Sequence, residues 1–157
     1  MAGSLLSLDV LVCALVVAAV AGTGARLTRL DAWYRGLRKP SWQPPDWLFG
    51  PAWTLILTLC AVALVLAWRA APPSLVVALF GANFLLNIGW SLLFFRLRRP
   101  DWALIEVAPL WLSILAPMLA FAHADARIAW LLLPYLLWVS FAAMLNRRIV
   151  TLNRPFG

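Results

Sequence analysis

The sequence predicts an all-α membrane protein, a five-transmembrane-helix bundle with a Trp/Pro-rich loop between helices 1 and 2. Composition is the first reason: 64% of residues are hydrophobic, 12% are charged, and the mean hydropathy is +0.89. A soluble domain of 157 residues has no interior large enough for that much apolar surface. Distribution is the second. The charges gather in connectors, and the apolar runs between them are mostly about 20 residues long, enough to cross about 30 Å of hydrocarbon. A single membrane domain over residues 1–157, with no appended soluble unit, fits the length.

The spans fall near residues 5–25, 48–68, 74–95, 102–122 and 128–145. The first carries only Asp9, the fourth only Glu106, and the others no charge. Each must be helical, because lipid offers the backbone no hydrogen-bond partner. The first reads as a retained span and not a cleaved leader, since it lacks a positive n-region and its apolar run outlasts an h-region. Short connectors at Arg69–Pro73 and Arg96–Asp101 predict that spans two and three, and spans three and four, are antiparallel neighbours.

Between the first two spans runs Trp33-Tyr34-Arg35-Gly36-Leu37-Arg38-Lys39-Pro40-Ser41-Trp42-Gln43-Pro44-Pro45-Asp46-Trp47. Pro40, Pro44 and Pro45 fix the backbone and remove amide donors, so the stretch is expected to be non-helical, a stiff and partly extended cover. With Trp53 just beyond it, this region holds four of the chain's ten tryptophans. Rigid rings are thereby held at the mouth of whatever the helices enclose.

The formal charge of +7 is not a nucleic-acid signature, because its arginines lie in the loops. Arg26, Arg29, Arg35, Arg38 and Lys39, then Arg96, Arg98 and Arg99, then Arg147, Arg148 and Arg154 fall on one side; only Arg69 and Arg127 fall on the other. The positive-inside rule then puts the N-terminus outside, the C-terminus and the aromatic loop in the cytoplasm, and favours an inner membrane. Arg-, Ala- and Leu-rich usage points to a bacterial source.

Polar residues within spans are costly unless they face the interior. Asn83, Asn87, Trp90 and Phe94 share one face of the third span, and Trp130, Pro134, Trp138, Ala142 and Asn146 form a stripe on the fifth. The fourth offers Glu106, Pro109, Ser113 and Pro117, its two prolines expected to bend the helix. Simpler roles compete with ligand contact. Asparagines in spans act as interhelical glue worth about 0.6–2 kcal/mol. Trp47, Trp68, Trp102 and Trp130 suit an interfacial belt, whereas Trp53, Trp90, Trp111 and Trp138 lie deeper. Glu106 is expected to pair with Arg98 and Arg99. Small-residue faces at Ala14, Ala18 and Gly22, and at Ala78, Gly81 and Ala82, suit close helix packing within or between protomers.

Conventional catalytic sets do not occur. Cys13 and Cys60 read as packing residues, His123 is alone, and no phosphate loop, nucleophile triad or intramembrane carboxylate pair is present. No metal and no required cofactor are expected. The ligand that suits such a site is flat, apolar and stacked, with anionic edges meeting Lys39 or nearby arginines.

Taken in order, Trp33-Tyr34-x-x-Leu37-x-Lys39-Pro40-x-Trp42-x-Pro44-Pro45-x-Trp47 with Trp53, Asn87-x-x-Trp90 with Phe94-Phe95, Ala103-Leu104-Ile105 to Leu110-Trp111, and Pro134-Tyr135-Leu136-x-Trp138 to Leu145-Asn146 resemble the TspO/MBR family. These are the tryptophan-rich sensory proteins, relatives of the mitochondrial translocator protein. The resemblance implies a dimeric five-helix bundle that binds porphyrin or haem-type tetrapyrroles such as protoporphyrin IX, sterols in some members, and synthetic isoquinolines. It implies a pocket under the first loop. By motif the ligand-binding residues are Tyr34, Pro40, Pro44, Trp53, Asn87, Trp138 and Ala142, and Trp42, Asn83 and Trp90 join them as candidates. Some members are light-dependent porphyrin degraders, and there Trp53 and Trp138 match the residues responsible.

Three positions depart from the pattern. Asn83 stands where relatives carry Gln, Leu57 where animal members carry Tyr, and Arg147 where the sterol-recognition motif needs Tyr, which argues against sterol binding. The expectation is a membrane-embedded tetrapyrrole binder acting as sensor, scavenger or regulator, with a porphyrin-degrading enzyme or a transporter as alternatives. No inverted repeat favours transport.

Overall fold

The computed structural model describes residues 7–156, so Leu5 and Leu6 at the head of the first span lie outside the described residues. Six helices are seen among them: α1 (Leu8–Leu27), α2 (Ala32–Gly36), α3 (Phe49–Ala70), α4 (Pro73–Ser91), α5 (Pro100–Phe121) and α6 (Ala126–Asn153). All but α2 are long and apolar enough to cross a membrane, which makes the five-helix bundle. Prolines mark two starts. Pro73 and Pro100 occupy the first turn, where a missing N–H costs no helical bond. Asp125 caps α6 by accepting from the Arg127 amide at 3.0 Å, leaving the neighbouring His123 exposed in the connector.

Three local features differ from the sequence reading. The loop opens with the helical turn α2, because Asp31 caps it by accepting from the Tyr34 amide at 3.1 Å and the prolines act only from Pro40 onward. Beyond α4 the chain widens into a π turn over Leu92–Arg96, closed by the Leu97 amide donating to the Leu92 carbonyl at 2.9 Å. That turn gathers Trp90, Phe94 and Phe95, with ring centroids 5.0 Å apart for the first pair and 4.8 Å for the second. Finally, α6 continues to Asn153, well past residue 145, since hydropathy marks where a span leaves lipid and not where its hydrogen-bond ladder stops.

Around the bundle the order is α1, α3, α6, α5, α4 and back to α1. Spans three and four, α4 and α5, pack closely as their short connector predicts. Spans two and three, α3 and α4, touch only sparsely, because α1 sits between them; connector length limits the distance between two helix ends but not which helices pack along their lengths. Close approach comes from Ala63, Ala67 and Ala103, all fully buried. The small-residue faces of α1 and α4 point away from the bundle, with Ala14, Ala18, Ala78 and Ala82 exposed.

Polar side chains bolt the helices together. Asn83 donates to the Ser113 hydroxyl at 3.0 Å, Asn87 to the Tyr135 hydroxyl at 2.9 Å, and the Trp111 indole to the Ser140 hydroxyl at 2.9 Å. Asn146, turned so that both ends of its amide are satisfied, donates to the Pro100 carbonyl at 3.0 Å and accepts from the Leu104 amide at 3.1 Å. Glu106 does not pair with the loop arginines. Arg98 goes to Asp31 and Arg99 to Asp101, and both Glu106 oxygens are shielded without a hydrogen-bond partner beside Gly89. Pro109 and Pro117 sit inside α5 without ending it. By contrast α1 buries little, only Cys13, Val17 and Val20, and Asp9 ties its head to Arg69 at the end of α3.

Candidate ligand cavity

Beneath the proline-rich loop the helices part around a cavity of about 750 Å³. That volume lies within the roughly 300–1,000 Å³ usual for small-molecule sites. Trp53 on α3 and Trp138 on α6 form its aromatic walls, their centroids 6.4 Å apart and their planes 82° to one another. Each ring is braced by aromatic neighbours. Trp53 packs edge-on against Tyr135 at 5.9 Å, while Trp138 lies 5.7 Å from both Phe49 and Phe141. The spacing of four from Trp138 through Ala142 to Asn146 puts all three on the cavity face of α6. Opposite, Gly22, Gly24 and Gly50 have no neighbour where a Cβ would project, and that missing bulk is part of the volume.

The loop is fastened over this space at two points. The Tyr34 hydroxyl donates to Asp46 Oδ1 at 2.9 Å and accepts from Gln43 Nε2 at 3.2 Å. At the loop's middle, the Arg38 amide donates to Asn153 Oδ1 and the Arg38 carbonyl accepts from Asn153 Nδ2, both at 2.8 Å. The extension of α6 beyond the span thus secures the lid through its last residue. The Tyr34 amide and the Arg98 guanidinium keep the Asp31 carboxyl below the usual carboxylate range.

Burial, reinforced by Asp46, pushes the Tyr34 phenol up to about 12. Since the folded phenol holds its proton over a range where the unfolded one releases it, the closed loop is fully stabilised below about pH 10 and loses that stability as pH rises toward about 12. In a Tyr135→Phe background, phenolate absorbance should therefore rise with a midpoint near 12, accompanied by faster proteolysis of the loop. A midpoint near 10 would show Tyr34 unburied.

The pattern of the TspO/MBR family matches residues 10–152, nearly the whole chain. The chain belongs to the TspO/MBR family. It is 40% identical over 152 residues to the tryptophan-rich protein TspO of Chlorobaculum tepidum, covering 93% of this chain and 96% of that one. It is 36% identical to the tryptophan-rich sensory protein of Cereibacter sphaeroides, covering 86% and 85%. The human translocator protein is 33% identical over 122 residues, covering 73% and 70%.

Of the candidate ligand-binding residues, Tyr34, Trp53, Asn87, Trp90, Trp138 and Ala142 line the cavity. Pro40, Trp42, Pro44 and Asn83 do not. The prolines shape the lid, Trp42 packs its edge on Phe141 at 5.9 Å with about half its surface exposed, and Asn83 is turned to α5 by Ser113. The cavity also uses Val20, Phe49, Leu57 and Asp46. A spacing of four before Trp53 could have flagged Phe49, and Leu57 is the position that departs from the animal pattern; α1 carries no such spacing signal. Lys39 is not in the wall either, because its ammonium donates to the Tyr34 carbonyl at 2.7 Å and sits 4.3 Å over the Tyr34 ring. No cluster of metal-ligating side chains occurs among the described residues.

Proposed function

We propose that this TspO/MBR protein binds porphyrin or haem-type tetrapyrroles between Trp53 and Trp138 and acts as a sensor, scavenger or regulator of their level, without a required cofactor. The observation that carries this reading is the apolar cavity of about 750 Å³ walled by two braced indoles. A flat macrocycle gains about 25 cal/mol for each Å² of apolar surface it buries there, and the rings add stacking. The charge asymmetry of the connectors supports an outside N-terminus, a lid facing the cytoplasm and an inner bacterial membrane. A homodimer in lipid, with no nucleic-acid partner, completes the proposal.

Light-dependent porphyrin breakdown is the second reading, favoured by the closeness of the two indoles at 6.4 Å. One experiment separates the two. Protoporphyrin IX is titrated into purified protein in detergent, following tryptophan quenching, and absorbance is then tracked under light and in darkness. Saturable binding, at least tenfold weaker when Ala142→Phe fills the cavity, with an unchanged spectrum under light, is expected of the binder. Light-dependent bleaching that requires both tryptophans would make the protein an enzyme. Binding indistinguishable from empty micelles would remove the cavity from consideration.

A further inference from the structure

The wall of the cavity contains one charged side chain, and it is the carboxylate of Asp46. Every lysine and arginine of the neighbouring loops stays out of it. Lys39 is the nearest by sequence, and it is committed to carbonyls of its own loop, Tyr34 O at 2.7 Å and Leu37 O at 3.4 Å. Three of the wall's four hydroxyls lean the same way, Ser91 being the fourth. Thr28 gives its proton to the Gly24 carbonyl at 2.9 Å, Thr54 to the Gly50 carbonyl at 2.9 Å, and Tyr34 to Asp46 itself. Each of these oxygens can then only accept. The indoles supply N–H donors but no positive charge.

Resting on the ring-binding reading above, we infer that the lid end of the cavity selects ring ligands whose inward edge is a neutral or cationic hydrogen-bond donor, and opposes a carboxylate placed there. A donor finds acceptors at Asp46, Thr28 and Thr54. An anion finds like charge at close range. A dicarboxylate macrocycle must therefore turn its acid arms out past the rim, whereas an esterified or amine-bearing one is free of that restriction.

The test compares protoporphyrin IX with its dimethyl ester in wild type, Asp46→Asn and Tyr34→Phe, all in the same micelles near pH 7.5. Partition of each probe into detergent cancels when the acid-to-ester affinity ratio is compared between proteins. Asp46→Asn keeps an acceptor for the Tyr34 hydroxyl while removing the charge. It should improve the acid relative to the ester by about five- to tenfold. Tyr34→Phe loosens the lid without altering charge and should change both affinities alike. An unchanged ratio in Asp46→Asn, or an equal shift in Tyr34→Phe, overturns the inference while leaving the cavity as a ring site. Failure of both probes to bind above empty micelles overturns the ring-binding reading together with it.

Discussion

Trp138→Ala should weaken protoporphyrin binding by about a hundredfold while leaving the bundle assembled. The ring stands between Phe49, Trp53 and Phe141, with its remaining surface turned to the cavity, so a macrocycle gains contact on a face the protein does not itself fill. Truncating a central aromatic anchor of this kind costs about 2–4 kcal/mol of binding. The loss falls mainly on binding because Trp138 is only half-buried within the bundle. Trp130, two turns earlier on α6 and 73% exposed, is the internal comparison. Trp130→Ala should change affinity less than twofold, about 0.4 kcal/mol. The measurement is a quenching titration beside a thermal melt of each variant. Equal affinity in wild type and Trp138→Ala would remove this ring from the site.

Asn146→Leu should lower the stability of the bundle by about 2–4 kcal/mol, the cost of two lost hydrogen bonds and a stranded polar group. Asn146 is 1% exposed, and its amide bridges α6 to the first turn of α5 through Pro100 and Leu104. Leucine keeps the heavy-atom count and branching of asparagine, so the change tests the polar bridge and not a void. Neighbouring helices would still be held by Trp111 with Ser140 and by Asn87 with Tyr135. The expected result is a melt several degrees lower in detergent, with far-UV helicity retained at low temperature. An unchanged melting point would mean that the bridge contributes nothing beyond packing.

Much of the architecture was legible because lipid restricts it so strongly. Twenty apolar residues with at most one charge have one stable answer, and five such runs place the helices to within a few residues except at the C-terminal end of α6. Neighbour choice was not legible in the same way. Pro72 and Pro73 make a tight reversal between α3 and α4, yet α1 takes the place alongside them, because helix faces and not tethers decide packing. The π turn after Ser91 has no compositional marker at all. At the site, helical spacing correctly grouped Trp138, Ala142 and Asn146, but the same rule grouped Asn83 with Asn87. Their helix meets two partners along its length, so one amide bolts to α5 and the other to α6. Charge was the hardest to read. A basic loop suggests a basic site, and only the side-chain geometry shows Lys39 spent on its own carbonyls.

The shallow burial of α1 gives the cavity one yielding wall. The other sides are carried by α3, α4, α5 and α6, whose side chains are locked into the bundle by aromatic contacts and buried amides. The yielding one is a helix with three buried residues, faced with glycine and alanine and moored at its far end by the Asp9–Arg69 pair. Displacing the end near the lid exposes little apolar surface, so the free-energy cost of widening the chamber is small compared with that of moving any other helix. Such a chamber behaves less like a die cut for one molecule than like a clamp with one sprung jaw. On the ring-binding proposal, macrocycles of different thickness and substitution would be gripped by the same pair of indoles, with α1 taking up the difference.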